Sequence, residues 1–428
     1  MSNTAQQLIK TAASLHQAGQ FDAAINACQE ALVRVPDYPD ALYFLGVLSA
    51  QAKNYPNAEH YFERAIAADP KRAEFYGNYA NALLEQQKYP AAIIQGLKSI
   101  ALNPNHPQSQ NIVGNAYLMQ GDFVAATPYF RQTVALNPSY ASAHHKLGTA
   151  LQRQQQFSEA ISCFEHALSL QADYPEAFHS LGQTLLESGQ IDSAYRCYQK
   201  FLDLHPEDAS VRRKMMEVHP IWNEALQGQQ IILRRFLETD SDYLCQCYAD
   251  DNFMRFYHHY LPRKLSSEAL AAKLRQNAVL HPCQLKTIDW LILRIDQPGE
   301  PKPIGIANLV DIQFAHRRAE LLIGIPNPED RQSHAGLEAA LLIMDFAFNR
   351  VELHKLTSYV YGINPLAQKN TLSLGFTQEG YLREQLLQPE NGQLMNLYSN
   401  GMTVNDFRTN RRLAKLALRL LKRDITVA

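Results

Sequence analysis

The sequence is poor in the residues that mark several specialised classes of protein. It has 6 cysteines in 428 residues, and the nearest pair, Cys245 and Cys247, is separated by one residue and not by the two of a zinc knuckle. Glycine, with 19 residues, and proline, with 21, are too few for a collagen-like or low-complexity chain. We therefore expect no bound metal, and we expect reduced thiols in a cytoplasmic protein.

Charge of one sign and long apolar runs are also scarce. The 40 lysines and arginines nearly balance the 42 acidic residues, which leaves a net charge of −2 and no basic field to attract nucleic acid. No run of about 18 apolar residues occurs, so we expect no membrane span. The first residues lack the basic and apolar segments of a signal peptide. The length is that of two or three domains.

The first half of the sequence repeats every 34 residues. Each interval ends in a proline slot, and a small residue, an alanine and in most copies an aromatic residue stand at fixed distances before it. The proline slots are Pro36, Pro70, Pro104, Pro138 and Pro206, with Ala172 in the remaining one. The small residues are Ala12, Gly46, Ala80, Gly114, Gly148 and Gly182, and the aromatic residues are Phe62, Phe130, Phe164 and Tyr198. This pattern predicts antiparallel helix pairs, because small residues allow close approach, aromatic rings fill the seam with the next pair and proline ends the second helix.

The 34-residue pattern resembles the tetratricopeptide repeat (TPR) family, in six copies from about Ala5 to Pro206. One repeat cannot bury its own apolar face, so the array needs a cap, and residues 209–218 are predicted to form it. The first domain is therefore predicted to be an all-α solenoid over residues 1–218.

The resemblance to this family implies a protein or peptide partner on the concave face, which the first helix of each pair lines. In this register the face carries amides and imidazoles, which can bond the backbone of an extended peptide. These residues are Asn78, Asn81, Asn111, Asn115, His145 and His179. The alternative is a solvated face on a scaffold or on a self-associating array.

After residue 220 the sequence changes to apolar strands that alternate with helices. Strands are predicted at 231–234, 287–294, 303–312, 318–325, 355–361, 376–384 and 393–399. Helices are predicted to begin near 239 and to span 266–279, 335–349 and 365–374. This order predicts a second domain at 229–405, of the α/β or α+β class, with a mixed and mostly antiparallel sheet.

Four stretches of this second domain resemble the GNAT acetyltransferase superfamily, in the branch that includes ribosomal-protein N-terminal and amino-sugar acetyltransferases. They are 303–312, 318–325, 331–348 and 353–383. The resemblance implies an N-acetyltransferase that uses acetyl-CoA and no metal, and that acetylates an amine of a protein or of an amino sugar. The alternative is a non-catalytic TPR scaffold whose acetyltransferase-like domain has lost turnover.

The resemblance also implies where acetyl-CoA binds. The family holds the pyrophosphate on a loop at a helix N-terminus, where backbone N–H groups and the helix dipole favour anions. The matching residues are Arg331, Gln332, Ser333, His334, Ala335, Gly336 and Leu337, with Ile323, Gly324 and Ile325 for the pantetheine amides and Asn364 for the cofactor arm. His334 replaces a glycine of the family pattern, so a left-handed conformation there would carry a cost. Asn364 before Pro365 is equally explained as a helix cap.

Acetyl transfer needs a neutral amine, so a base must take the proton of the ammonium group. Glu320 stands eleven residues before Arg331, which is the spacing of the base glutamate in the histone acetyltransferases of the family, and burial would raise its pKa. Tyr398 is the next candidate. The alternative for Glu320 is an ion pair with Arg317 or Arg318.

Two further features bear on the chemistry. Thr371 stands where many relatives carry a tyrosine that protonates the leaving thiolate, so Ser373, Tyr398 or water would replace it. The segment 253–262 holds four aromatic residues and two histidines, and it would either cradle the acceptor or pack in the core.

The tail, residues 406–428, is basic and amphipathic. Cations recur from Arg408 to Arg423 beside an apolar stripe at helical spacing, and within residues 408–424 they stand against one acid, Asp424. We expect this helix to dock on the chain itself or on a partner, with a lipid or RNA surface as the alternative.

Overall fold

The structure, a computed structural model, describes residues 2–257, 265–296, 299–387 and 393–427. The chain divides into two compact units, Met1–Pro206 and Glu207–Ala428. Among the described residues, none of the helices combines the length and the apolar character that crossing a membrane requires.

The first unit, as far as it is described, consists of helices that follow one another with short connections. They are α1 (Ser2–Gln17), α2 (Phe21–Arg34), α3 (Pro39–Gln51), α4 (Tyr55–Ala68), α5 (Ala73–Glu85), α6 (Tyr89–Leu102), α7 (Pro107–Gln120), α8 (Phe123–Leu136), α9 (Ala141–Arg153), α10 (Phe157–Leu170), α11 (Pro175–Glu187) and α12 (Ile191–Leu204). One 34-residue interval corresponds to one helix pair, and each proline slot falls two residues after the second helix of a pair. The prediction of an all-α repeat array is confirmed.

The small and aromatic positions of the repeat meet inside the four helix pairs that carry an aromatic residue. A Cβ atom added to Gly46 would lie 2.8 Å from the ring of Phe62, and one added to Gly148 would lie 2.7 Å from the ring of Phe164. The ring of Phe62 also stacks on Tyr79 of the following helix, with the centroids 5.8 Å apart. The aromatic residue therefore packs within its own helix pair as well as against the next pair. The sequence analysis had placed it at the seam with the next pair.

The second unit combines a sheet with helices. Its strands are β1 (Leu226–Gln227), β2 (Ile231–Arg235), β3 (Ile288–Arg294), β4 (Lys302–Gln313), β5 (Arg318–Gly324), β6 (Lys355–Tyr361), β7 (Thr377–Leu387) and β8 (Leu394–Thr403). Its helices are α13 (Ala209–Glu217), α14 (Ser241–Ala249), α15 (Asp251–Tyr257), α16 (Ser267–Ala278), α17 (Pro282–Leu285), α18 (Pro328–Arg331), α19 (Ala335–Asp345), α20 (Pro365–Ser373), α21 (Val404–Thr409) and α22 (Arg411–Leu421).

Within the described residues the strands form one sheet in the order β1-β2-β3-β4-β5-β6-β8-β7. Every neighbouring pair is antiparallel except β5 and β6, which are parallel. The predicted mixed, mostly antiparallel sheet is confirmed. The parallel pair needs a crossover between its strands, and α18 and α19 provide it.

Each face of the sheet is covered by its own apolar layer. One layer packs α19 with the tail against residues such as Leu321 and Leu356. The other packs α14, α15 and α16 against residues such as Leu291 and Ile306. Because side chains alternate along a strand, odd and even positions of β5 face different layers.

The tail packs on the second unit itself. It forms two helices, α21 and α22, separated at Asn410, where the sequence predicted one continuous helix. Leu413, Ala417 and Leu421 of α22 are buried in the same core as α19. The chain end is held as well, because Asn349 Nδ2 donates to Ile425 O over 2.8 Å.

Residues 209–218, which the sequence predicted as the cap of the repeats, belong by their contacts to the second unit, as α13. Trp222, which follows α13, is 1% exposed within the core of this unit, and its Nε1 donates to Met216 O over 2.8 Å. The boundary between the two units thus lies at Pro206, whereas the repeats predicted a domain boundary at 218.

Candidate active site

Strands β5 and β6 are paired only at one end. Within the described residues their ladder joins Arg318 to Lys355, Ala319 to Leu356 and Glu320 to Thr357, and it ends there. Beyond this point, residues 321–325 and 358–361 line the two sides of a cavity of about 1180 Å³. The predicted pantetheine residues, 323–325, therefore lie on a strand edge that the β5–β6 ladder does not use, where an extended amide chain can bond.

The loop before α19 lines the same cavity, through Arg331, Gln332, His334, Gly336 and Leu337. His334 has φ 64° and ψ 2°, so it adopts the left-handed conformation that glycine favours. It directly precedes α19, whose first N–H groups have no partner within the helix. The loop thus keeps the shape of an anion-binding helix N-terminus although the glycine is replaced.

Arg331 is held by backbone oxygens. Its Nε donates to Ile325 O and its Nη2 to Pro326 O, each over 2.7 Å. The guanidinium group therefore ties the end of β5 to α18 while it lines the cavity. Part of its hydrogen-bonding capacity serves the turn, which sequence spacing did not indicate.

Asn364 caps α20. Its Oδ1 accepts from Ala367 N over 3.0 Å, and Pro365 stands at the first position of the helix. Asn364 also lines the cavity, as do Thr371 and Ser373 of the same helix. In the structure Asn364 therefore caps the helix, as one of the two interpretations predicted, and it also lies at the cavity wall.

Glu320 is the last residue of β5 that pairs with β6. Burial, with a smaller contribution from Asp311, raises its pKa to about 7. Arg317 donates through Nε to Glu352 O over 2.7 Å, and Arg318 through Nε to Gln313 Oε1 over 2.8 Å, so in the described part of the chain neither forms the alternative ion pair with Glu320. The carboxyl group is thus left with a pKa suited to proton transfer near neutral pH.

Three polar residues, Tyr257, Asn308 and Asp289, lie on the Glu320 side of the sheet, and the sequence analysis missed two of them. Tyr257 donates its hydroxyl to Asn308 Oδ1, and Asn308 Nδ2 donates to Asp289 Oδ1. Burial raises the pKa of Tyr257 well above its ordinary value, and nearby acidic groups, of which Glu320 contributes least, raise it further. The signal in the sequence was polar Asn308 and Asp289 inside apolar strands.

The structure describes the first part of the aromatic segment 253–262 and not the rest. Phe253, Phe256 and Tyr257 line the cavity, whereas residues 258–262 lie outside the described residues. The rings of Phe253 and Tyr257 cover Gly324, where a Cβ atom would lie 2.5 and 2.6 Å from them. Phe253 and Tyr257 are also core residues, so lining and packing are combined in the same side chains.

Tyr398 lies away from Glu320. It is opposite Val360 of β6 and Tyr381 of β7, whereas Glu320 is opposite Thr357 of β6. Val360 and Thr357 are three residues apart, so they point to different faces of the sheet. The structure does not bring the two predicted catalytic residues together, and neither Glu320 nor Tyr398 is among the described residues that line the cavity, although Glu320 directly precedes the lining residue Leu321.

Family models match both units. Residues 230–377 match the acetyltransferase (GNAT) domain, and residues 10–64, 50–108 and 139–207 match the tetratricopeptide repeat. The chain carries tetratricopeptide repeats and a GNAT acetyltransferase domain. The resemblance inferred from the sequence is thereby confirmed at the level of both families.

The curated relatives of the GNAT domain are N-acetyltransferases. The chain is 26% identical over 174 residues to the uncharacterized N-acetyltransferase YoaA of Bacillus subtilis, which is 41% of this chain and 94% of that protein. It is 38% identical over 92 residues to spermidine N(1)-acetyltransferase of Escherichia coli, which is 22% of this chain and 48% of that protein, about half its length. The family match and these relatives together show that the GNAT domain is an N-acetyltransferase domain. GNAT acetyltransferases use acetyl-CoA.

Solved structures resemble parts of the chain at low identity. The PilF protein of Pseudomonas aeruginosa has a TM-score of 0.45 and 19% identity, over 50% of this chain and 98% of that chain. Spermidine N-acetyltransferase of Vibrio cholerae in complex with CoA and spermine has a TM-score of 0.36 and 21% identity, over 41% of this chain and 95% of that chain.

The predicted partner residues of the TPR unit differ in how accessible they are. Asn78 and Asn81 are exposed, Asn115 and His179 are half-buried, and Asn111 is 7% exposed. His145 is engaged internally, with Nε2 3.0 Å from Ser180 Oγ and Nδ1 3.3 Å from Tyr174 OH, and burial lowers its pKa. The accessible part of the predicted partner face is thus concentrated on α5.

Proposed function

We propose that the GNAT domain transfers the acetyl group of acetyl-CoA to a primary amine, and that the TPR unit recruits a protein that carries or delivers this amine. The observation that carries the proposal is the separation of β5 from β6 beside the N-terminus of α19. An extended pantetheine amide chain fits the free strand edge, and a pyrophosphate fits the start of α19.

The residues that we assign to acetyl-CoA are those predicted from the family resemblance. Backbone groups at 323–325 bond the pantetheine arm, and those of 332–337 bond the pyrophosphate. Arg331 lines the cavity beside them. The left-handed conformation of His334 supports this assignment, because it gives the loop the shape that a glycine would have given it.

We assign the base to Glu320. The amine nitrogen forms a bond to the thioester carbonyl carbon, the carbon–sulfur bond breaks, and the proton of the amine passes to the Glu320 carboxylate, directly or through water. A carboxyl group with a pKa of about 7 is largely ionised at slightly alkaline pH, where it can accept this proton. Tyr398 is the weaker candidate because it lies on the other face of the sheet.

The departing thiolate takes a proton from a hydroxyl group or from solvent. Thr371 and Ser373 line the cavity on α20, in the region where the family often supplies a tyrosine. A thiol is acidic enough to leave with weak assistance. The threonine is therefore compatible with turnover.

The acceptor is proposed as a class, a primary amine. The relatives include enzymes named for spermidine, an aliphatic polyamine, and the sequence resemblance pointed to amines of proteins or amino sugars. The presence of TPR repeats favours an amine presented by a protein, since repeat arrays bind extended peptide segments.

The experiment is an acceptor panel with the full-length chain and acetyl-CoA. A peptide with a free N-terminus, a lysine-containing peptide blocked at its N-terminus, an amino sugar and spermidine are compared by release of CoA thiol. The proposal predicts that one class of amine stimulates CoA release above the rate without acceptor. Failure of the full-length chain to bind acetyl-CoA in calorimetry would favour the alternative, a TPR scaffold without turnover.

A further inference from the structure

The cavity of the GNAT domain has a basic wall that lies outside the matched family domain. Arg412, Lys415 and Arg419 of α22 line the cavity together with Leu416. The match to the family ends at residue 377. These three cations therefore come from the tail of the chain.

The position of α22 is fixed at both ends. Asn410 Nδ2 donates to Leu374 O at the end of α20 over 3.2 Å, and Arg423 Nη2 lies 2.6 Å from Asp345 Oδ2 at the end of α19. Between these anchors the apolar stripe of α22 is buried against the core. With that stripe buried, the face that carries positions 412, 415 and 419 is held toward the cavity.

The charges around the cavity are of one sign. Among the described residues that line it, Arg331, Arg412, Lys415 and Arg419 are cationic, and none is an aspartate or a glutamate. The three residues of α22 are exposed, and in the described part of the chain their side chains form no ion pair. Such a wall attracts a ligand that carries several negative charges.

The loop at α19 does not by itself neutralise all the negative charge of CoA. Two donors of Arg331 are taken by Ile325 O and Pro326 O, and the remaining contribution of the loop comes mainly from backbone groups. CoA carries a pyrophosphate and a 3′-phosphate, more charge than one helix N-terminus with part of one guanidinium group neutralises.

We propose that Arg412, Lys415 and Arg419 bind the phosphate groups of CoA, so that the tail helix completes the cofactor site. This inference rests on the proposed function, since it assigns a phosphate subsite of the same acetyl-CoA site. It makes α22 a part of the binding site as well as of the core.

The test compares two double variants of the full-length chain by calorimetry with CoA, dephospho-CoA and pantetheine. Arg412→Gln/Arg419→Gln removes two cations from the wall, and Arg411→Gln/Lys422→Gln removes two cations at the ends of the same helix, the first residue of α22 and the residue that follows the helix, which do not line the cavity. We expect the first variant to bind CoA about tenfold more weakly, which is about 1.4 kcal/mol, and with less dependence on salt. We expect the control to stay within about twofold of the wild type.

The three ligands distinguish the phosphates from each other and from an effect on the fold. A loss confined to CoA assigns the 3′-phosphate, and a loss shared with dephospho-CoA assigns the pyrophosphate. An equal loss for pantetheine would overturn the proposal, as would wild-type affinity and salt dependence in the wall variant. Lys415→Glu replaces the double variant if that variant does not fold.

The outcome separates this inference from the proposed function. If the wild-type chain binds no CoA at all, the proposed function fails and this inference fails with it. If the wild type binds CoA and the wall variant binds it equally well, the proposed function stands and only the role of the tail is wrong.

Discussion

At the scale of the residue, the surroundings of a side chain decide its chemistry. Glu320 and Arg331 were both singled out by sequence spacing. Burial then gives Glu320 a pKa of about 7, whereas the guanidinium group of Arg331 is partly committed to the carbonyl oxygens that follow β5. The spacing of the two residues is a property of the sequence, but their availability for catalysis or binding depends on the atoms around them.

The first prediction concerns Glu320→Gln. The wild-type rate is expected to rise with pH through about 7, as the carboxyl group ionises. The variant lacks this base, so its rate at neutral pH should fall by about 10²–10⁴-fold and should recover only as the amine itself loses its proton. The measurement is the pH–rate profile from about pH 6 to 9.5, with the best acceptor of the panel.

The control for this prediction is Glu329→Gln, which changes an exposed glutamate of α18. It should leave the profile unchanged. Stability gives an independent check, because a carboxyl group whose pKa is raised on folding destabilises the folded state increasingly as pH rises from its ordinary value to about 7. Glu320→Gln should therefore lose less stability between pH 5 and pH 8 than the wild type does. A wild-type pH–rate profile in the variant would show that Glu320 is not the base.

The second prediction concerns His334→Gly. Because His334 has φ 64°, a residue without a Cβ atom relieves the cost of the left-handed conformation. We expect the variant to be more stable by about 1 kcal/mol and to bind acetyl-CoA at least as well. Thermal melting and calorimetry are the measurements. Gln332→Gly is the matched control, since Gln332 has φ −79° and glycine there should lower stability. If both variants changed the stability in the same direction, this would contradict the explanation.

At the scale of the element, β5 determines the shape of the site. One half of the strand pairs with β6, and the other half leaves it and forms a cavity wall. The wall is backed by Phe253 and Tyr257, which approach the strand closely where Gly324 leaves space. The accessible edge of β5 thus depends on one glycine and two rings.

The third prediction is that Gly324→Ala damages this wall. The new Cβ atom would lie 2.5 Å from the ring of Phe253 and 2.6 Å from that of Tyr257, so the rings or the strand must move. We expect a loss of about 1–3 kcal/mol in the free energy of unfolding, and weaker acetyl-CoA binding. Gly380→Ala on β7 is the control, because its nearest contact would be 3.7 Å away. Equal denaturant midpoints for the two variants would show that the wall can adapt without cost.

At the scale of the whole molecule, the two families occupy separate compact units. The linking segment is not a neutral spacer. Trp222 is 1% exposed, and its ring meets those of Phe314 and Phe346 edge to face, at centroid distances of 5.5 and 5.4 Å. The residues between the last repeat and β2 therefore contribute to the core of the GNAT unit.

The fourth prediction follows from this core. A fragment of residues 207–428 should fold and melt cooperatively, whereas a fragment of 229–428 should be molten or insoluble, because it lacks Trp222 and β1. In the full-length chain, Trp222→Ala should cost about 3–5 kcal/mol in the stability of the second unit. Circular dichroism and denaturant titration are the measurements. Two fragments of equal stability would place the limit of the unit near 229, where the sequence analysis put it.

The sequence by itself determined most of the elements of this protein, because helices and strands follow from local periodicity, although it did not show β1 or the break between α21 and α22. The 34-residue repeat and the succession of most strands along the chain could be inferred from it, and the resemblance to the family marked position 334 as one where glycine is usual. Tertiary structure decided which side chains meet, because that depends on the pairing of strands distant in sequence. It placed Glu320 and Tyr398 on different faces of the sheet, joined Tyr257 to Asn308, and brought α22 to the cavity.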